Sequence, residues 1–150
     1  MGKFVLPELY LVSGSVFDAN DHFETIEKSL KGGVGIVQLR EKEKDDIEIY
    51  DLGMRLRKLT HKYNAYLIVD DRVDIAIAIN ADGVHVDQED LSVDVVRSII
   101  GKNKIIGKST HSISQAFKAQ EEGVDYIGVG PVFETNSKKG VCAPVGIELV

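Results

Sequence analysis

Short runs of apolar, largely β-branched residues alternate along this chain with longer stretches in which apolar positions recur every three to four residues. The short runs are typical of buried β-strands, and the longer stretches are typical of amphipathic helices. The pattern predicts six strands, at about residues 8–14, 35–40, 66–71, 83–87, 104–110 and 126–132. It predicts helices at about residues 21–31, 45–63, 73–80, 92–100 and 112–122, and a last helix that begins near Gly146.

The regular alternation of strand and helix predicts βαβ units, and therefore an α/β fold with a parallel sheet. Two architectures accommodate six such steps: an open doubly wound sheet and an incomplete (β/α)8-type TIM barrel. A dinucleotide-binding sheet would carry Gly-x-Gly-x-x-Gly after its first strand, but residues 12–17 read Val-Ser-Gly-Ser-Val-Phe. The choice between the two folds therefore depends on where the polar residues lie.

Composition limits the classes of function open to the chain. A hydrophobic fraction of 43% and a charged fraction of 28% are typical of a soluble globular protein, and 150 residues predict a single domain, residues 1–150. The formal net charge of −6 argues against nucleic acid as a partner, and no apolar run is long enough to cross a membrane. The single cysteine, Cys142, cannot form an internal disulfide, which is consistent with a cytoplasmic location.

The end of the second predicted strand carries amide and basic side chains on one face. Alternation along a strand places Gln38 and Arg40 on one face, with Lys42 two residues further on, and Leu39 on the opposite face. Arginine offers a planar fork that matches phosphate, and lysine adds a point charge. The alternative is a strand-end charge cluster that pairs with Glu41 and the acidic residues after it.

Carboxylates follow the next two predicted strands. Asp70 and Asp71 end the third strand, and Asp87 and Asp90 follow the fourth. One or two carboxylates, several waters and the phosphate oxygens of a substrate form the coordination that Mg²⁺ prefers. The alternative is that Asp71 and Asp90 cap the helices that follow them.

Polar side chains also follow the fifth and sixth predicted strands. Ser109 is followed closely by His111, but no Gly-x-Ser-x-Gly elbow accompanies them, so a phosphate contact or a helix cap is favoured over acyl transfer. The loop at residues 133–140 places hydroxyl side chains before Lys138, which is typical of an anion-binding loop and equally of an exposed turn. His85, inside the fourth strand, is interpreted as a satisfied core residue.

All of these clusters lie at or just after the carboxyl ends of predicted strands. In (β/α)8 barrels that end of the sheet is the catalytic face. Open sheets usually bind at one switch point rather than at five successive strands. The distribution of the polar residues therefore favours the barrel.

Six motifs resemble, in order and approximate spacing, those of the thiamine phosphate synthase family. They are Gln-Leu-Arg-Glu-Lys at 38–42, Asp-Arg-Val-Asp-Ile-Ala at 71–76, Gly-Val-His at 83–85, Gln-Glu-Asp-Leu at 88–91, Ser-Thr-His-Ser at 109–112 and Gly-Val-Gly-Pro-Val-Phe at 128–133. The resemblance implies a Mg²⁺-dependent transferase of thiamine biosynthesis. It would couple 4-amino-2-methyl-5-(diphosphooxymethyl)pyrimidine to thiazole phosphate, giving thiamine phosphate and pyrophosphate, without a general base or a nucleophile.

The resemblance also implies roles for individual residues. Asp71 and Asp90 would hold Mg²⁺, and the catalytic cations on the departing diphosphate would be Arg40, Lys42 and Lys138. The residues implied to bind the pyrimidine diphosphate are Gln38, Leu39, Arg40, Glu41, Lys42, Asp70, Ser109 and Lys138. Those implied to contact the thiazole phosphate are Thr135, Asn136 and Ser137.

Departures from the family pattern keep two alternatives open. The family usually has Asn at the position of Asp70 and often Gly at that of Asp87, and an added carboxylate repels a diphosphate unless it is protonated or bound to metal. The loop at residues 133–140 also resembles that of the sister family of thiazole tautomerases, in which the histidine matching His111 would be the acid–base catalyst. The third possibility is a non-catalytic relative that binds a phosphorylated ligand or a partner chain.

The number of predicted strands carries a further expectation. A (β/α)8 barrel usually takes about 200–250 residues, whereas six strands are predicted here, so strands seven and eight are expected to be missing. The thiazole half-site would then be incomplete. The first and sixth strands would be open edges, which favours a homo-oligomer in which a second copy covers the gap.

Overall fold

The computed structural model describes residues 5–14, 22–135 and 142–150. Its strands are β1 (Tyr10–Ser13), β2 (Ile36–Leu39), β3 (Tyr66–Asp70), β4 (Gly83–Val86), β5 (Ile105–Thr110) and β6 (Tyr126–Val129). Its helices are α1 (His22–Lys31), α2 (Asp46–Lys62), α3 (Val73–Ala78), α4 (Val93–Ile100) and α5 (Ile113–Glu121), with one 3₁₀ turn, η1, at Ile147–Leu149. The predicted elements are confirmed, except that the last helix is this single turn.

The six strands form one parallel sheet in the order β1-β2-β3-β4-β5-β6, and one helix lies in each connection. Consecutive order is that of a (β/α)8 barrel, whereas a doubly wound sheet reverses its order at a switch point. The sheet curls strongly. As a result, the hydroxyl of Tyr10 on β1, the first strand, lies 2.7 Å from that of Tyr126 on β6, the last. The predicted incomplete barrel is confirmed.

Alternation along the strands separates two cores. Val37 and Leu39 of β2 pack with the helices in the larger, outer cluster, whereas Ile36 packs with Ile68 and Ile105 on the inner face. Parallel strands that are covered on both faces read as nearly continuous apolar runs. On the inner face, Arg40 and Asp70 lie at the carboxyl ends of the strands, whereas Tyr10 and Tyr126 are the first residues of β1 and β6.

Helix ends are set by local sequence where a polar cap is present. Asp45 and Glu48 form a reciprocal capping box at the start of α2, and the Ser112 hydroxyl accepts a hydrogen bond from the backbone N–H of Gln115 at the start of α5.

β6 ends at Val129, earlier than predicted, because Pro131 has no N–H to donate to the ladder. Among the described residues, no helix is long and apolar enough to cross a bilayer.

Candidate active site at the carboxyl ends of the strands

The carboxyl ends of β2 and β3 bring two cations and two carboxylates together. Arg40 Nε lies 3.3 Å from Asp70 Oδ2, and Lys42 Nζ lies 3.2 Å from the same oxygen. Lys42 also donates a hydrogen bond to Asp71 Oδ2. Arg40 and Lys42 therefore face the aspartates of the neighbouring strand, as expected from parallel pairing.

Asp71 has an unusual conformation. Its φ of 57° lies in the left-handed region, which costs a residue with a side chain about 1–2 kcal/mol. Its N–H donates to the carbonyl of His85 on β4, which fixes the turn after β3. Its Oδ1 is buried and has no hydrogen-bond partner among the residues that the structure describes. A buried carboxylate oxygen without a partner is costly, and a bound cation or ligand donor would satisfy it.

Asp90 supplies the second carboxylate. Its Oδ2 accepts a hydrogen bond from the backbone N–H of Asp87 at 2.6 Å. Burial raises the pKa of Asp90, the Asp87 N–H opposes this, and the nearby Asp71 carboxylate raises it further. Neither aspartate caps a following helix, because the N-caps of α3 and α4 are Arg72 and Ser92. The capping alternative is therefore wrong.

The donor set at Asp71 and Asp90 fits a hard, weakly held divalent cation. Within the described ranges, no three His, Cys, Asp or Glu side chains form a closed metal cage. Mg²⁺ does not need one, because it is commonly held by one or two carboxylates together with waters and substrate phosphates. The two carboxylates and the unpartnered Asp71 oxygen are consistent with such a site.

The charge of Asp70 depends on its neighbours. Its side chain is 6% exposed, and burial together with the Asp71 carboxylate raises the pKa of Asp70 to about 6, against the opposing effect of Lys42 and Arg40. Burial lowers the pKa of Lys42, but hydrogen bonding to Asp71 and the charge of Asp70 outweigh it, so the net shift is upward. Lys42 therefore stays charged, while Asp70 ionises less readily than an ordinary aspartate.

Ser109 and Gln38 lie on the inner face, in a polar group that also includes three aromatic rings. Ser109 Oγ lies 2.9 Å from His85 Nε2, and the Ser109 carbonyl accepts a hydrogen bond from the Gln88 amide at 2.6 Å. Gln38 is buried and donates to the Tyr10 hydroxyl at 3.0 Å. The link to Gln88, two residues before Asp90, places Ser109 beside the loop that carries the second carboxylate.

Other predicted site residues lie elsewhere or are not described. Leu39 is 1% exposed and its side chain packs in the outer core, away from the inner face, so its predicted contact with substrate stays a prediction. Glu41 is half-buried beside Arg40, and Thr135 is exposed. Asn136, Ser137 and Lys138 lie outside the described residues.

His111 also lies at this end of the sheet and is half-buried. Its Nδ1 lies 2.5 Å from the carbonyl oxygen of Gly130, and its backbone N–H donates to Gln115 Oε1. A carbonyl accepts only, so Nδ1 carries the proton, and in the neutral ring Nε2 is the basic nitrogen.

Three polar inner-face residues were not predicted to lie near the site: Tyr10, His85 and Tyr126. The alternation of side chains along a strand could have identified His85. Val84 and Val86 both point to the outer core, so His85 between them lies on the inner face. Glycines on the neighbouring strands leave the space that these rings fill. His85 is satisfied, as expected, but by this polar group rather than by an apolar core.

Comparisons with known proteins agree with this architecture. A family profile described as thiamine monophosphate synthase matches residues 9–150. Thiamine-phosphate synthase of Methanobrevibacter smithii is 51% identical over 130 residues, which cover 87% of this chain and 62% of the relative. That of Alkaliphilus oremlandii is 52% identical over 131 residues, with 87% and 63% covered.

A solved structure extends the match to three dimensions. Thiamine phosphate pyrophosphorylase from Pyrococcus furiosus superimposes with a TM-score of 0.80 at 37% identity, over 94% of this chain and 66% of that one. The chain thus spans just under two thirds of the length of these three proteins. Sequence motifs, strand order and the profile match agree, and the chain belongs to the thiamine monophosphate synthase family.

Proposed function

We propose that this chain carries the pyrimidine diphosphate half-site of a thiamine phosphate synthase. The overall reaction would join 4-amino-2-methyl-5-(diphosphooxymethyl)pyrimidine to thiazole phosphate and release pyrophosphate. The observation that carries the proposal is the cluster of Arg40 and Lys42 against Asp70 and Asp71, with Asp71 Oδ1 buried and unpartnered. Family membership supports the same reaction.

The step of the proposed reaction that most needs catalysis is departure of the diphosphate. The bond between the pyrimidine methylene carbon and the diphosphate oxygen breaks, and the diphosphate leaves with the electron pair. The stabilised pyrimidine cation is then captured by the thiazole nitrogen, which forms the new carbon–nitrogen bond. Charge stabilisation of the departing diphosphate is the required catalysis, and a bound Mg²⁺ would supply part of it.

Arg40 and Lys42 supply the protein's share of that stabilisation. Asp70 holds both cations on the inner side of the strand ends, so that their charge is fixed before a ligand arrives. Asp71 and Asp90 would hold Mg²⁺, whose remaining positions would be taken by water and diphosphate oxygens. The proposed roles of Thr135, Asn136, Ser137 and Lys138 in phosphate binding stay predictions.

Calorimetric titration with pyrophosphate, with and without Mg²⁺, tests this half-site. Asp71→Asn and Asp90→Asn should each weaken Mg²⁺-dependent binding by about 10- to 150-fold, the equivalent of roughly 1.5–3 kcal/mol for a contact to a charged group. The matched control is Asp51→Asn, because Asp51 is exposed on α2. Mg²⁺-dependent binding that is unchanged in both site variants contradicts the assignment.

A thiazole tautomerase is the second candidate, and the geometry of His111 favours it. The Nδ1 contact with Gly130 leaves Nε2 as a base at the strand ends. Such an enzyme would lose isomerisation of the thiazole with His111→Asn and would tolerate EDTA. A synthase would keep most of its activity in His111→Asn and lose it in EDTA, so the two measurements separate the candidates.

A further inference from the structure

A continuous chain of hydrogen bonds crosses the inner face of the sheet. Gln38 Nε2 lies 3.0 Å from the Tyr10 hydroxyl, which lies 2.7 Å from the Tyr126 hydroxyl. The Tyr126 hydroxyl lies 3.1 Å from His85 Nδ1, and His85 Nε2 lies 2.9 Å from Ser109 Oγ. We refer to these five side chains as the inner relay. The relay links β2, β1, β6, β4 and β5, and it ends at a predicted diphosphate contact.

The order of donors along the relay starts at Gln38. The Gln38 amide nitrogen can only donate, so the Tyr10 hydroxyl accepts from it. If Tyr10 also accepted from Tyr126, its own proton would have no acceptor within the relay, so the order that uses every hydroxyl proton has Tyr10 donating to Tyr126. Tyr126 in turn gives its proton to His85 Nδ1. The neutral ring then carries its proton on Nε2 and donates it to Ser109.

Both tyrosines keep the protons that this order requires. Burial raises the pKa of Tyr10 to about 12, although its hydrogen bonds with Tyr126 and Gln38 oppose the shift. Burial, and next the proximity of Tyr10, raise the pKa of Tyr126 as well. Neither phenol ionises near neutral pH, so each has one proton to donate.

Glycines on β5 and β6 make room for the relay. Gly107 pairs with Tyr126 in the sheet register, and a Cβ at Gly107 would collide with the Tyr126 ring. A Cβ at Gly128 would lie 3.5 Å from His85 Cε1. The Tyr126 and His85 rings are 5.6 Å apart across this space. The absence of a side chain at Gly107 therefore allows Tyr126 to reach across β5 to His85.

We propose that His85 is a positioning residue that orients the hydroxyl of Ser109. With Nε2–H donating to Ser109 Oγ, the hydroxyl acts as an acceptor towards His85, and its single proton is left for an anion at the strand ends. The Gln88 amide holds the main chain of Ser109 at the same point. The orientation of Ser109 towards a diphosphate rests on the proposed function, whereas the tautomer of His85 does not.

The tautomer is measured directly in the ligand-free protein. Long-range ¹H–¹⁵N correlation of ¹⁵N-histidine-labelled protein at neutral pH should show a protonated Nε2 and a bare Nδ1 for His85. A protonated Nδ1, in either the opposite tautomer or the imidazolium, overturns the proposal. Since no ligand is present, this result stands whether or not the chain binds pyrophosphate.

Tyr126→Phe cuts the relay while keeping the ring. Without a donor at Nδ1, His85 should no longer be held in the Nε2–H form, and pyrophosphate binding should weaken by about 3- to 10-fold, as in Ser109→Ala. The double variant should be no weaker than Ser109→Ala alone. The control is Tyr63→Phe, because the Tyr63 hydroxyl donates to Glu27 on the outer, helical side.

The outcomes separate the two proposals. An unchanged tautomer in Tyr126→Phe, or additive losses in the double variant, overturns the positioning role. If Tyr126→Phe does not fold, the wild-type tautomer alone decides the direction of the relay. A wild-type protein with the expected tautomer that binds no pyrophosphate contradicts the proposed function and leaves the relay standing.

Discussion

Asp70 and Asp71 are neighbours in sequence, but their environments differ. Asp70 ends β3, is nearly fully buried and faces Arg40 and Lys42. Asp71 follows the strand with a positive φ and leaves one buried oxygen without a hydrogen-bond partner among the described residues. Asp70 contacts both Arg40 and Lys42, whereas Asp71 shares only Lys42, through Oδ2.

The negative charge of Asp70 can be removed to test its effect on anion binding. Asp70→Asn removes a negative charge from the edge of the proposed diphosphate site while keeping the shape of the side chain. Pyrophosphate binding should become tighter by at least a few fold, because a repulsion between two anions is removed; at an effective dielectric near 20 that repulsion is about 4 kcal/mol at 4 Å and falls with distance. Calorimetric titration measures the change, and Asp51→Asn, at an exposed position on α2, is the control. Weaker binding in Asp70→Asn would show that placement of Arg40 and Lys42 outweighs the repulsion.

At the scale of elements, contacts between neighbours fix the positions of the strands and helices. The pairing of β5 with β6 depends on glycine at position 107, and the packing of α1 on α2 includes a polar contact at Glu27. Each contact involves residues far apart in sequence. Each therefore reports on the tertiary structure rather than on local propensity.

Gly107→Ala tests the close approach of β5 and β6. The added methyl group would meet the Tyr126 ring, so we expect a loss of about 1–3 kcal/mol in the free energy of unfolding. Gly14→Ala is the matched control, because a Cβ there has no atom within 4 Å, and its effect should stay within about 0.5 kcal/mol. Urea unfolding followed by circular dichroism gives both values. Equal stabilities would contradict the collision.

Glu27 gives a pH-dependent contribution to the packing of α1 on α2. Hydrogen bonds from Lys62 and Tyr63, both at 2.7 Å, lower the pKa of Glu27 from 4.5 to about 2. Since the folded pKa is below the unfolded value, its stabilisation is fully present above about pH 4.5 and is lost as the pH falls towards 2. Glu27→Gln should therefore destabilise the protein at pH 7 and make little difference near pH 2.

The measurement for Glu27 is the free energy of unfolding across that pH range. The control is Glu121→Gln, at an exposed position on α5. A difference between Glu27→Gln and wild type that stays constant with pH would show that the carboxylate does not carry the effect.

At the scale of the whole molecule, the curled sheet leaves an apolar surface on one side. Within the described part of the chain, β1 and β6 each pair with one neighbouring strand. Beside β6, Ile113 and Phe117 of α5 are 61% and 63% exposed and line a cavity of about 460 Å³ together with Ile127. This cavity is lined by different residues from those of the acidic and basic cluster.

We expect this surface to be covered by a second copy of the chain, so that the protein is a homo-oligomer. Sedimentation equilibrium should show a concentration-dependent species larger than a monomer, and Phe117→Asp should shift it towards the monomer. Val95→Asp, at an exposed apolar position on α4, is the control and should change little. A monomer at all concentrations would contradict the prediction. Oligomeric state and cytoplasmic location both stay predictions.

The sequence by itself determined the architecture and the end of the sheet at which the charged side chains gather. A side-chain period of two separated Gln38 and Arg40 from Leu39, and the βα alternation required parallel strands, whose carboxyl ends meet at one edge. For that reason the clustering of Arg40, Lys42 and the aspartates was predictable from the sequence alone.

Tertiary structure alone decided which of these groups are partners. Sequence left open whether Arg40 and Lys42 pair with Glu41 or with the aspartates, because that choice depends on distances between adjacent strands. The contact between Tyr10 and Tyr126 spans 116 positions and exists only because the sheet curls. Local patterns fix which face a side chain occupies, but curvature and register fix what it meets there, and the inner relay depends on both.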